Sequence, residues 1–307
     1  MKARALLAAL RPHQWTKNLV VLAAWPLGTV EGRLSKHLFD PQTAWHVLLA
    51  FAVFCGLSGA VYLLNDVTDI ERDRLHPRKR FRPIASGQLS IRAALVAACV
   101  LSLGCLAFST TLGTGFSLAA LTYLALNLLY SFWLKEVLII DAISVSLGFV
   151  IRAVAGGLAI QVHIGDWLLI CTILLALFMT LCKRRHELTS LSEGAANHRR
   201  ILSEYSPYLL DQMIAVVTAS CVTAYAFATT AQDTVEKYHT HRLVWTLPFV
   251  LYGIFRYLYL VHRKEQGGSP TDILLTDRPL LLDLFLWGLA IVAIVSTSGV
   301  GVVQKGL

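Results

Sequence analysis

Ala60-Val61-Tyr62-Leu63-Leu64-Asn65-Asp66-Val67-Thr68-Asp69-Ile70-Glu71-Arg72-Asp73 is where the reading of this chain turns. It begins as the end of an apolar run, roughly Trp45 to Leu64, near the ~20 residues needed to cross a bilayer. It ends in carboxylates. On an α-helix, at about 100° per residue, Asp66, Asp69 and Asp73 share an arc of about 60°. Three carboxylates on one face repel one another, so something cationic is expected to hold them. Mg²⁺ bridged to a phosphorylated substrate suits the site, because it takes one or two carboxylates and completes its octahedron with phosphate oxygens.

The chain has 307 residues, 56% of them apolar and 15% charged. Ordinary soluble domains carry about 25% charged residues, and a mean hydropathy of +0.60 places this chain among polytopic membrane proteins. Apolar runs of spanning length recur at 15–31, 44–65, 91–111, 115–133, 137–160, 166–182, 209–231, 242–262 and 279–303. No soluble-domain composition interrupts them. The expected fold is therefore an all-α integral membrane protein, one polytopic domain over 1–307, with nine transmembrane helices.

Lys and Arg orient it. Of 27, twenty fall on the N-terminal segment and the loops after even-numbered spans, five on the other side, and Arg152 and Arg256 inside spans. By the positive-inside rule the N-terminus is cytoplasmic and the C-terminus outside. The net charge of +8 is then mostly topology, and no nucleic-acid partner is expected. The six cysteines lie in or beside spans with no C-x-x-C pair, so neither a disulfide framework nor a zinc site is expected. Ala5–Leu10 is too short for the apolar core of a cleavable signal peptide.

The long polar loops, 66–90, 183–208 and 263–278, all fall on the cytoplasmic side, which puts the chemistry there. The first holds five basic residues between Arg74 and Arg82, Arg80 among them. Such a string is either a topogenic loop near anionic headgroups or a phosphate clamp facing the acidic cluster, where Arg offers a fork that Lys cannot. The second opens with Lys183, Arg184 and Arg185. Cations are favoured at a helix C-terminus in any case, and Glu187 stands at i, i+4 from Lys183.

Polar residues also enter the membrane. To reach a full crossing, the first span must include Gln14, Lys17 and Asn18. They either snorkel or face a site. In the fifth span Asp141, Ser144, Gly148 and Arg152 share one face, and Asp141 needs a cation or donor in its apolar surroundings. A second metal carboxylate is the first choice for Asp141, and an internal ion pair for Arg152. In the fourth span Tyr123, Asn127 and Tyr130 share a face, and Tyr130 stands close to Lys135.

Asn65-x3-Asp69-x3-Asp73 after a second span resembles the first Asp-rich motif of the UbiA superfamily of membrane prenyltransferases. A typical member has a second motif, Asp-x3-Asp, where this chain has Asp141-Ala142-Ile143-Ser144-Val145. That departure weakens an aromatic-prenylating reading. Arg11-Pro12-x-Gln14-Trp15-x-Lys17-Asn18, His76-Pro77-x-Lys79-Arg80-Phe81-Arg82-Pro83-Ile84-Ala85-Ser86-Gly87, Leu134-Lys135-x5-Asp141 and Arg152-Ala153-x-Ala155-Gly156-Gly157 resemble a branch that moves phosphoribose onto decaprenyl phosphate. Asp272-Ile273-x3-Asp277-Arg278 does so too.

The resemblance implies nine transmembrane helices around a central cavity in the plasma membrane, with the active site facing the cytoplasm. It implies a phosphoribosyltransferase with phosphoribosyl pyrophosphate as donor and a polyprenyl phosphate lipid as acceptor. Asp66, Asp69, Asp73 and Asp141 then hold Mg²⁺. Lys17, Asn18, Asn65, Arg80, Arg82, Tyr130, Lys135, Lys183 and Arg184 bind donor or phosphate. The acceptor is already ionised near neutral pH, so no general base is required, in keeping with the absence of a Ser/His/Asp or Cys/His constellation. The same fold with an allylic prenyl donor is the alternative, and an anion carrier a more distant one. Small-residue helix faces permit a homo-oligomer.

Overall fold

The computed structural model describes residues 2–27, 40–77, 79–162, 164–190, 200–264, 267–268 and 270–303. Its α-helices in chain order are α1 (Lys2–Ala9), α2 (Ala24–Leu27), α3 (Pro41–Thr68), α4 (Ile70–Leu75), α5 (Ile91–Ser109), α6 (Thr114–Phe132) and α7 (Ile140–Ala159). There follow α8 (Asp166–Ser190), α9 (Pro207–Thr230), α10 (Gln232–Tyr238), α11 (Leu247–Arg263), α12 (Pro270–Thr276) and α13 (Arg278–Val303). Short 3-10 segments join several of them, and the described residues include no strand. Eight helices among the described residues are long and apolar enough to cross a membrane. They match the expected spans two to nine. α8 runs eight residues past the expected end at 182, so Lys183, Arg184 and Arg185 lie on a helix and not in a loop.

The expected first span takes another form. Pro12–Ala23 is a 3-10 helix of 12 residues that passes into α2, and 28–31 lie outside the described residues. At three residues per turn, side chains at i and i+3 eclipse. Asn18, Val21 and Ala24 follow that period and are fully buried. The 3-10 rise also carries 12 residues about 24 Å, against about 18 Å for an α-helix. A stretch too short for an α-helical crossing thus reaches further.

By contacts the chain divides into two compact units, Met1–Ile164 with Glu193–Glu204, and Gly165–Ser192 with Tyr205–Leu307. In the first, α3 is the central helix, packing on α5, α6, α7 and the 3-10 segment. One part of its core gathers Val53, Phe54, Leu57 and Val61 with Phe116, Ala120 and Tyr123; the rings of Phe54 and Tyr123 lie 5.1 Å apart. A second part seats Ile84 and Leu89, from the loop after α4, on Ala60 and Leu63. On α5, Val96, Val100 and Leu103 stay more than 60% exposed. In water that stripe would be an aggregation hazard; in a bilayer it is the lipid face. In the second unit α8 packs on α9 and α11 on α13. Arg256 of α11 donates two hydrogen bonds to Asp277, which also caps α13 at the Leu280 amide.

Gly156 sets the closest approach in the first unit. A Cβ there would stand 2.0 Å from the Val21 carbonyl oxygen, so only glycine admits the 3-10 segment against α7. Gly156→Ala is expected to lower stability by about 1–3 kcal/mol, the usual overpacking cost. Gly104→Ala, with open space around its Cβ, is expected to be neutral or slightly stabilising. Thermal unfolding of the two purified variants in one detergent checks this; equal melting temperatures would contradict the close approach.

Candidate active site

The acidic motif straddles a helix break. α3 ends at Thr68, Asp69 takes a turn conformation, and α4 starts at Ile70. The amide of Asp69 still donates to the Asn65 carbonyl and that of Asp73 to the Asp69 carbonyl, so the helical course survives. Asp66 and Asp73 are buried as a result, and Asp69 is half-buried.

Guanidinium groups from two other places meet these carboxylates. Arg82 donates from one terminal nitrogen to Asp66, at 3.1 Å, and to Asp73. Its loop is fixed by buried Ile84 and Leu89, by the Leu89 amide donating to the Pro83 carbonyl, and by Gly87 at φ 79°, a backbone state that suits glycine. Arg11 donates to the same Asp66 oxygen as Arg82 and covers the ring of Tyr62 at 5.0 Å. The Arg11 backbone is left-handed, at φ 51°. It ends α1 and, with Pro12 next, starts the 3-10 helix. Burial lowers the pKa of Arg11, and the Asp66 charge opposes that shift. Asp66 Oδ2, meanwhile, is buried with no hydrogen-bond partner.

The loop after α6 is pinned to the same place. Lys135 reaches Asp69 at 2.7 Å, and Arg72 reaches Glu136 at 2.9 Å. Ser131 of α6 donates to the Asn65 side chain. The structure therefore brings together Asn65, Asp66, Asp69, Asp73, Arg82 and Lys135, all expected in the site, and adds Arg11. Arg80 lies on a neighbouring 3-10 turn, exposed, its guanidinium 4.8 Å from the Phe81 ring centroid. The sequence showed Arg11 within a recognisable string but gave no sign that its backbone turns back onto Asp66. Among the described residues no three carboxylates, histidines or cysteines converge closely enough to hold a metal by themselves. The carboxylates are drawn to the cations and not to one another.

A second polar cluster lies inside the membrane-spanning part of this unit. Arg152, 6% exposed, donates to the Asn18 side-chain oxygen at 2.8 Å, the Gly148 carbonyl at 3.0 Å and the Tyr123 hydroxyl at 2.7 Å. Asn18 donates in turn to Ser58 at 3.0 Å. The internal ion pair expected for Arg152 is not found among the described residues: its partners are neutral. Tyr123 is buried. Asn18, expected at the donor, has both ends of its amide committed to this cluster.

Asp141 is fully buried in the first turn of α7. Ile139 precedes it at φ 68°, ψ −43°, and the Ile140 amide donates to the Leu138 carbonyl at 2.7 Å. This is the strained, positive-φ γ-turn, unusual for a β-branched residue. Strain of this kind collects where a side chain must be aimed. Ser144, Gly148 and Arg152 share the buried face of α7 with Asp141, as expected. Tyr130 and Lys17 are half-buried. Lys183 and Arg184 belong to the second unit, where both face Glu187, at 3.8 Å and 2.7 Å.

The family model described as the UbiA prenyltransferase family matches residues 34–271. The chain is 36% identical over 297 residues to the decaprenyl-phosphate phosphoribosyltransferase of Corynebacterium glutamicum, covering 94% of this chain and 86% of that protein. It is likewise 36% identical over 279 residues to the protein of the same name from Mycobacterium tuberculosis, covering 91% and 90%. A UbiA homolog from Archaeoglobus fulgidus, bound to GPP and Mg²⁺, superposes with a TM-score of 0.72 at 19% identity over 95% of this chain and 99% of that one. At that identity the likeness bears on the fold alone.

Asn18→Leu removes the acceptor of the Arg152 Nε–H and is expected to cost about 1–3 kcal/mol of stability. Asn18→Asp supplies a carboxylate to the same guanidinium and is expected to retain most of it. Thermal melts of both variants decide; equal losses would show that Asn18 does not hold Arg152.

Proposed function

The chain belongs to the UbiA prenyltransferase family, and we propose that it transfers 5-phosphoribose from phosphoribosyl pyrophosphate to a polyprenyl phosphate of the decaprenyl type. The observation that carries this reading is the end-to-end similarity to decaprenyl-phosphate phosphoribosyltransferases, at about 36% identity over 86–90% of their length. Val145, where a paired Asp would suit a typical prenyltransferase, supports it. The nine-helix topology, with the N-terminus cytoplasmic, the C-terminus outside and the site facing the cytoplasm of a plasma membrane, belongs to the same proposal. The Lys and Arg distribution supports it.

The donor carries a pyrophosphate and a separate 5-phosphate. Its anionic groups ask for several cations, and Arg11, Arg82 and Lys135 surround the acidic motif, with Arg80 on a neighbouring turn. Before donor binds, Arg11, Arg82 and Lys135 neutralise Asp66, Asp73 and Asp69. With donor present they turn to phosphate oxygens, which guanidinium forks match. A resident Mg²⁺ fits the oxygen donors here, because the buried Asp66 Oδ2 lacks any partner. Asp66, Asp69, Asp73 and Asp141 are the residues proposed to hold it, one or two at a time. When bound, the ion neutralises charge on the departing pyrophosphate.

An oxygen of the acceptor phosphate bonds to the anomeric carbon as the bond from that carbon to pyrophosphate breaks. The acceptor monoester is ionised near neutral pH, so no residue need remove a proton. Fixed cations place both anions for attack. A prenyl-transfer reading has one observation in its favour: the family whose model matches the chain is described as prenyltransferases.

Purified protein with radiolabelled phosphoribosyl pyrophosphate, Mg²⁺ and decaprenyl phosphate is expected to yield labelled lipid. Asp69→Asn and Asp73→Asn should each cut turnover by about 100-fold, the scale of losing a charge-stabilising group, while inserting normally. No labelled lipid, with product instead from a prenyl diphosphate and an aromatic acid, would overturn the reaction. Wild-type turnover in both variants at limiting Mg²⁺ would overturn the metal site.

A further inference from the structure

Away from the acidic motif, the second unit carries a groove of about 590 Å³ between α9 and α11. α9 begins and α11 ends at its mouth, where Asp211 and His262 meet at 3.3 Å. Asp211 also accepts two hydrogen bonds from Arg185 of α8, so its charge is already matched. Arg263, on the rim, is exposed and makes no ion pair or hydrogen bond among the described residues. The mouth therefore keeps a spare cation.

Below the mouth the walls turn apolar, through Ile214, Ala215 and Leu258. Thr218 breaks that pattern. Its hydroxyl is buried and has no partner, whereas Thr122, Thr172 and Thr180 all donate to the carbonyl one turn back. An unsatisfied hydroxyl in a membrane helix costs free energy unless something supplies an acceptor. Thr218 lies seven residues from Asp211, about 10 Å down the helix, within the ~15 Å hydrocarbon depth of one leaflet.

We propose that this groove binds one anionic phospholipid of the bilayer, its phosphate on Arg263 and one acyl chain along Ile214, Ala215 and Leu258. A cationic rim above an apolar trough matches that amphiphile and not a soluble anion, which would have no use for the trough. Asp211, held by Arg185 and His262, keeps the two helix ends together and leaves Arg263 to the ligand. Its lining comes from α9 and α11, braced by Arg185 of α8, and includes none of the residues proposed for the transfer site.

Native mass spectrometry of detergent-purified protein titrated with phosphatidylglycerol tests it, with phosphatidylcholine and inorganic phosphate as comparison probes. One phosphatidylglycerol is expected to stay bound, at least about fivefold more tightly than phosphatidylcholine, with no competition from inorganic phosphate. Arg263→Ala should weaken retention about fivefold, and Ala215→Trp, which fills the trough, should abolish it. Both variants should keep their turnover. Equal retention of the two lipids, retention unchanged in both variants, or displacement by inorganic phosphate would each overturn the proposal. Preferential displacement by polyprenyl phosphate would assign the groove to the acceptor and overturn it as well.

Discussion

Asp66 and Asp73 share Arg82, and Asp66 also takes Arg11. The rest of the first unit is organised around that exchange of charge. Two carboxylates at the end of a membrane helix cannot be buried alone. Their neutralisation fixes where the N-terminal segment turns and where the loop after α4 folds back, and Lys135 on Asp69 fixes how α6 leads into α7. The left-handed Arg11, the seated Ile84 and Leu89, and the Lys135–Asp69 bridge are consequences of one electrostatic requirement. The same cations are the groups that the proposed donor would call on, so the pairs that stabilise this end of the unit are also the ones the proposal has substrate reassign.

A second constraint acts deeper. Arg152 is a cation in the membrane-spanning part of the unit whose described partners are neutral, and it is satisfied by hydrogen-bond geometry from Asn18, Tyr123 and Gly148. These groups come from the 3-10 segment, α6 and α7, so the arginine ties three elements at one point. Gly156 allows that arrangement by admitting the 3-10 backbone against α7. Packing and polar satisfaction thus depend on each other: without the close approach, Asn18 would not meet the guanidinium.

Much of this was legible in the residues. Apolar runs of spanning length foretold eight helices, all within about five residues of their ends except α8, which runs eight residues further. The spacing of Asp66, Asp69 and Asp73 placed them at one helix end, though there each turns to a cation and not to the others, and the face Asp141, Ser144, Gly148 and Arg152 is buried as its period required. Three features were not legible, each for a physical reason. A left-handed arginine leaves no mark in sequence, because the turn is set by what its side chain reaches. A long 3-10 helix is rare enough to be discounted, although Trp15, Asn18, Val21 and Ala24 already repeat at its period. Arg152 invited a carboxylate, since charge counting does not foresee neutral acceptors placed by three different elements.

The central claim is that the cluster at the end of α3 is a Mg²⁺-dependent site for a diphosphate donor. Calorimetric titration of phosphoribosyl pyrophosphate into wild-type and Asp66→Asn protein, with and without Mg²⁺, tests it most directly. The account predicts binding by the wild type that strengthens at least tenfold with Mg²⁺, and a strengthening that disappears in Asp66→Asn. Binding of equal strength with and without the ion, or a variant that responds to Mg²⁺ as the wild type does, would contradict it.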